Sequence, residues 1–364
     1  MEYFTYNNEK IYIEFTNEGV IFKKEVNGNL VKLSELEEKE LLDNLKPKDP
    51  YILQSARIEN IAKNNPSLNA NYDYFLSFLN YIEGIIPENY KENFYKNLES
   101  ITIDLDDKGI NNENNLGCYN AKLNKIVINS KKIRESLQSS NTLSDDTYWK
   151  AVNTTLIHEL YHVASTHYDK ETGIMLSGFD KLSNNVNDSN VGLNEGFTDV
   201  LTYAAMPDAP DYIFGYVFED FIAAQLTFVV SPEIMIESYF GNHGTSLLVD
   251  KLCDIKNDKT SASSLFTLID LNFFMPSGEQ TLLGTIQSRL VEYFKLKILN
   301  DIKSGVTEEE INSSITNFKS VLITNNLLNA RGMDPSNYPN LNESIESFSK
   351  FEEEVKEMLS THVK

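Results

Sequence analysis

The pentapeptide His158-Glu159-Leu160-Tyr161-His162 constrains this chain more than any other stretch, because it sits inside a helical repeat that must pack along one side. Trp149, Val152, Leu156, Leu160 and Val163 form an apolar stripe, running from a cap at Ser144 or Asp145 to about Ser165. Two histidines four residues apart leave one face of such a helix a turn apart and can reach a single metal ion. The spacing predicts a Zn2+ site at His158 and His162, with Glu159 beside it as the base that takes a proton from water and passes it to a departing amine. With five histidines in 364 residues, the pattern arises by chance in on the order of one chain in a hundred or fewer. The competing account is a helix whose histidines are merely exposed or hydrogen-bonded, and the flanking segments decide between the two.

Sheet-like segments precede the helix. Ile101 to Leu105 alternates as a strand does, and Tyr119 to Asn129 reads as a second strand or hairpin ending in Ile126-Val127-Ile128. A polar, Asn-rich loop is expected from about His167 to Asn190. A helix then runs from Leu193 to Ala205, stopped near Pro207. It carries Asn194-Glu195-Gly196-Phe197-Thr198-Asp199, in which Glu195 and Asp199 are four apart and share a face.

On these residues the chain resembles the gluzincin metallopeptidases, the thermolysin-like group whose zinc is held by two histidines and a glutamate. The second helix of that group carries an N-E-x-x-S-D pattern, matched here with Thr198 in place of serine. The resemblance covers about residues 119–199. It implies Glu195 as the third metal ligand and Asp199 as the carboxylate that orients His158 through its far ring nitrogen. It further implies that the strand at Lys125 to Asn129 is an edge that pairs with extended peptide. A downstream Tyr or His that stabilises the oxyanion is also implied, and Tyr216, Tyr239 and His243 are all candidates. The rival metal pattern with a third histidine needs a glycine at position 165 and a histidine at 168, where this chain has Ser165 and Tyr168. His167 reads as a loop or helix-end histidine. Glu171 lies nine residues after His162 in a stretch without apolar periodicity, where a ligand would be poorly held.

The expected fold class is α+β: a mainly helical, zincin-like metallopeptidase core with a small N-terminal β-meander and a helical C-terminal region. Period-two alternation from Glu2 to about Lys32 marks the meander, and Leu33 to Leu45 reads as a helix with a Ser34/Glu37 capping box. Further helices are expected at Ser55 to Lys63, Tyr72 to Ile85, Glu88 to Leu98, Tyr212 to Val229, Glu233 to Phe240, Thr245 to Ile255 and Ser264 to Leu271. The last three are Leu282 to Lys303, Thr307 to Asn325 with a Thr307/Glu310 capping box, and Asn342 to Leu359. Breaks at Lys46 to Pro50 and Pro276 to Gly278 divide the chain into residues 1–48, a catalytic unit at 49–275, and a helical region at 276–364.

Fifty-four acidic against thirty-two basic residues give a formal charge of −22, which repels phosphate backbones and anionic lipid and argues against nucleic acid as a partner. The carboxylates read most simply as a solvated surface, although a basic peptide would be favoured electrostatically. Cys118 and Cys253 are far apart and form no C-x-x-C pair, so neither a disulfide framework nor a thiolate metal site is expected. No stretch approaches a membrane span, and Met1 to Phe15 lacks the basic start and apolar run of a signal peptide. A cytoplasmic location is therefore expected, with release by another route left open. The leading expectation is a zinc-dependent endopeptidase acting on a peptide or protein substrate. The alternatives are a regulatory or effector protease of narrow range and a non-catalytic zinc-binding protein.

Overall fold

The alternating N-terminal segment forms an antiparallel sheet of β1 (Glu2–Tyr6), β2 (Glu9–Thr16), β3 (Gly19–Val26) and β4 (Asn29–Lys32), paired in chain order. Ile11 and Phe22 are buried, as are Leu33 and Leu41 of the following segment. Helix α1 (Glu35–Asn44) starts as its capping box requires, with the Ser34 N–H donating to Glu37 at 2.9 Å and the Glu37 N–H donating to the Ser34 hydroxyl at 3.3 Å. The computed structural model describes every residue except 1, 7–8, 17–18, 45–49, 67–71, 106–114, 169–172, 183–189, 207–214, 276–280 and 363–364. The expected breaks at 46–49 and 276–278, and Glu171, lie outside the described residues.

Helices α2 (Pro50–Asn64), α3 (Tyr72–Glu83) and α4 (Glu88–Glu99) lead into a three-stranded sheet of β5 (Thr102–Asp104), β6 (Gly117–Asn120) and β7 (Lys125–Ile128). Its order is β5-β7-β6, with β5 parallel to β7 and β6 antiparallel to it, Cys118 facing Val127. The strand at 125–128 is therefore central and not the edge expected for it. The reason is legible afterwards: Ile126, Val127 and Ile128 are all buried, the continuous apolar run of a strand covered on both faces, whereas β6 alternates between partly buried and exposed positions. Helix α5 (Ser130–Ser139) has no counterpart among the expected elements. Asn129 caps it through the Lys132 N–H at 2.9 Å, and Ile133 and Leu137 bury one side.

The long helix is α6 (Asp145–Ala164), capped by Ser144 and Thr147. Val152, Leu156, Leu160 and Val163 are buried as the stripe requires, but Trp149 is 43% exposed and Tyr148 is buried in its stead. From Ala151 to Ala164 nearly the whole circumference of α6 is covered, so polar Asn153, Thr154 and Thr155 are buried too. The expected loop after it contains a small antiparallel sheet, β8 (Thr166–Tyr168), β9 (Met175–Ser177) and β10 (Asp180–Lys181), whose strands are too short to display a period. Then follow α7 (Val191–Ala205), α8 (Val217–Val230), α9 (Pro232–Phe240), α10 (Ser246–Lys256) and α11 (Lys259–Phe274). Gly215 and Tyr216 precede α8 as non-helical residues, and α11 is longer than expected because Asp258 caps it at the Ser261 N–H. The chain ends in α12 (Thr281–Lys303), α13 (Glu308–Ser320), α14 (Asn325–Ala330) and α15 (Pro339–His362), with the expected 307–325 helix stopping at Val321.

The fold is thus mostly helical with small sheets, an α+β arrangement. One buried cluster runs from Ile58 to Leu359 and so crosses residue 276, taking in Phe294, Phe318 and Phe348. Phe294 and Phe318 stack at 4.0 Å, and buried Gln225 on α8 donates to Gln287 on α12 at 2.9 Å and to the Val321 carbonyl at 2.6 Å. Among the described residues no single helix is long and apolar enough to cross a membrane. Both cysteines are free thiols.

Candidate metal centre

His158 and His162 point from one face of α6, with their Nε2 atoms 3.1 Å apart. The last turn of that helix is held firmly. Its His162 carbonyl accepts from Thr166 at 2.7 Å, Ser165 at 3.2 Å and Ser177 at 3.3 Å, and Asn97 of α4 donates to the Val163 carbonyl at 3.0 Å. Carbonyls that a helix end leaves without intrahelical partners are thereby satisfied, and His162 is fixed in place.

Helix α7 crosses α6 and brings Glu195 to the same point. Its Oε2 lies 3.2 Å from His158 Nε2 and 3.6 Å from His162 Nε2. The three side chains form a group able to hold a metal ion, and no other His, Cys, Asp or Glu among the described residues joins it. One turn further, buried Asp199 sets Oδ1 2.6 Å from His158 Nδ1. Asn194, to which the sequence pattern alone assigns no role, stands 3.3 Å from His162 Nδ1 while its Oδ1 accepts the Phe179 N–H. Each histidine thus has its own outer partner, a carboxylate for one and an amide for the other. Gly178 makes the second possible: its φ of +60° suits glycine, and a side chain there would run into the Asn194 oxygen and the Tyr239 ring.

Glu159 is 6% exposed and lies under β6. Burial raises its pKa, an effect opposed by both histidines and by the Tyr119 N–H, which donates to its carboxylate. The approach of β6 depends on Gly117. A Cβ at that position would stand 2.6 Å from Thr155 Cγ2 and 2.7 Å from Glu159 Oε1, closer than atoms pack. Cys118, the next residue, has its thiol pushed up to about 11 by burial and by the charges of Glu159 and Glu195.

The other ionisations follow from the same crowding. Burial works against a charged His158, but the Asp199 charge and hydrogen bond, with Glu195, hold its pKa well above the ordinary histidine value. Burial likewise opposes an ionised Glu195, yet the two histidines keep its pKa well below the carboxylate range. Tyr216 has its hydroxyl raised first by the Glu195 charge and then by burial, its ring 6.3 Å from that of His158 and packed on Phe273.

These residues line a cavity of about 690 Å³ walled by β6, α5, α6, α7 and β10. Of the three oxyanion candidates, only Tyr216 lines it. Tyr239 is fully buried, its hydroxyl 2.6 Å from Thr198 in a nest of Phe179, Phe197 and Phe240. His243 stands elsewhere, 3.3 Å from the Tyr90 hydroxyl and 3.5 Å from Glu237. His167 is no ligand either; its Nε2 reaches the Phe240 carbonyl at 2.5 Å, and burial lowers its pKa. Neither a protein family, nor a curated protein, nor a solved structure matches this chain.

Proposed function

We propose that the chain is a zinc-dependent peptidase with a gluzincin-like, zincin-type core, in which His158, His162 and Glu195 hold the metal. The observation that carries this reading is the triangle of ligand atoms, with sides of 3.1, 3.2 and 3.6 Å. Nitrogen and oxygen ligands about 2.0–2.2 Å from a tetrahedral zinc ion stand about 3.3–3.6 Å from one another. The donor set suits zinc, and three protein ligands facing a cavity are what a catalytic rather than a structural site requires.

When bound, zinc supplies a Lewis acid for the scissile carbonyl and makes water more acidic. Glu159 then takes the proton of the attacking water and returns it to the departing amine, its carboxylate steadied by the Tyr119 N–H. Tyr216 donates its hydroxyl to the oxygen of the attacked carbonyl as negative charge develops there, a role worth several kcal/mol where donors are aimed in advance. Strand β6, an edge of its sheet, offers main-chain groups to an extended peptide where β7, being central, does not.

Purified protein is expected to hold one zinc per chain and to lose peptidase activity with a strong chelator. Glu159→Gln is expected to keep the zinc and lose several orders of magnitude in kcat. Metal content by mass spectrometry and cleavage of a denatured protein substrate decide the matter. Chelator-resistant cleavage, or undiminished hydrolysis by Glu159→Gln, sinks the reading.

A further inference from the structure

We infer that the cavity selects peptides bearing an aspartate or glutamate side chain close to the cleaved bond, read by Lys122 and Lys132. This rests on the peptidase reading above. A chain of net charge −22 is expected to draw cations, yet the part of the cavity lining that the β6–β7 turn and α5 supply is basic. The acidic lining residues, Glu159, Glu195, Asp199 and Asp180, belong to α6, α7 and β10. The basic ones come from other elements: Lys122 from the turn between β6 and β7, and Lys132 from the first turn of α5.

Three features make that part of the lining suited to a carboxylate. Lys122 has no acidic partner among the described residues, while many other lysines of the chain, Lys23, Lys91, Lys125 and Lys150 among them, are paired with carboxylates. Ser136 follows Lys132 by one turn on the same face of α5 and adds a hydroxyl donor to the lining. Lys132 stands in the first turn of α5, at its positive end, whose partial charge acts in the same direction.

Long-range repulsion from the acidic surface does not outweigh such a contact. Exposed charges are screened within about 8 Å at physiological ionic strength, whereas a carboxylate against a cavity ammonium group meets it at contact distance. Asp180, Glu159, Glu195 and Asp199 repel a carboxylate elsewhere in the cavity, so the preference is confined to the position of the peptide that the two lysines meet. Peptide paired along β6 passes the Lys122 end of that strand, which puts the preferred residue within a few positions of the cleaved bond.

The test uses the zinc-loaded Glu159→Gln protein and fluorescein-labelled hexapeptide pools, each with Glu, Gln or Lys fixed at one position and the rest randomised. Fluorescence anisotropy is expected to give Glu pools binding about tenfold tighter than Gln pools at one position, and Lys pools weaker than both. Adding Lys122→Glu and Lys132→Glu is expected to reverse the order in favour of Lys. Lys122→Gln alone, on an exposed turn, is expected to cut the preference about threefold and serves if the doubly reversed chain does not fold. Equal binding of Glu and Gln pools at every position, or a preference that neither set of substitutions moves, overturns the inference. Hydrolysis of the same pools by the unsubstituted protein is scored separately. If Glu pools bind selectively but none is cut, the peptidase reading fails and the acidic selectivity stands.

Discussion

Gly117 has no room for a side chain. Its hydrogen points between Thr155 and Glu159, and one added methyl would touch both. Two consequences can be separated because the two neighbours differ in chemistry. Contact with Thr155 Cγ2 is a packing matter, whereas contact with Glu159 Oε1 displaces the group proposed to move the proton. Gly117→Ala is expected to lower stability by about 1–3 kcal/mol and kcat by about a hundredfold, with zinc affinity little changed. Adding Thr155→Ser removes the methyl in the way but leaves the carboxylate where it was. The double variant is therefore expected to regain most of its Tm and little of its kcat. Recovery of both together would reduce Gly117 to a packing residue. Asn194 teaches a related lesson at this scale, since its role depends on the Phe179 N–H and His162, neither of which its own neighbours in sequence reveal.

At the scale of elements, the contact between α7 and α8 holds an unusual charge. Asp199 on α7 is buried and spends Oδ1 on His158, while its Oδ2 has no hydrogen-bond partner; Asp220 on α8 likewise has a buried Oδ1 without one. Burial and the Asp199 charge raise the Asp220 pKa well above the ordinary aspartate value. The sign follows directly. The folded state keeps a proton that the unfolded chain releases near its usual pKa of about 4, so this stabilisation is complete below that pH and is lost as pH rises toward the folded pKa. Asp220→Asn preserves the shape and cannot ionise. In metal-free protein, the Tm of Asp220→Asn relative to the parent is expected to climb steadily from about pH 4 to pH 8. Calorimetric melts that run parallel across that range would show that Asp220 ionises freely in the fold.

For the whole molecule, the question is whether the last ninety or so residues are an appendage. Their buried side chains belong to the same cluster as the metal-site helices, and Gln225 on α8 finds its acceptors only on α12 and at Val321. Removing them strips the cover from α8, the helix that packs along α7 and so helps hold Glu195. A chain ending at Met275 is expected to show no cooperative thermal transition by circular dichroism and no zinc retention on dialysis. A truncated chain that melts sharply near the full-length Tm would make residues 276–364 a separate unit.

The amino-acid sequence by itself determines most of the helices and the local geometry within them, α5 being the main exception. Helical periodicity and caps are short-range, so Ser144, Thr307 and the i, i+4 pairs His158/His162 and Glu195/Asp199 are legible without any knowledge of packing. Tertiary structure decides everything that depends on what lies opposite. It brings Glu195 to the histidines across a separation of 33 positions, which spacing alone does not require (195 − 162). It makes β6 an edge and β7 the central strand, a matter of neighbours and not of residue type. Among nineteen tyrosines it sets Tyr216 in the cavity and buries Tyr239 against Thr198, although no motif singles out either. The physical reason is common to all three. A side chain's environment is set by burial and close approach between distant segments, and such contacts leave no period in the chain.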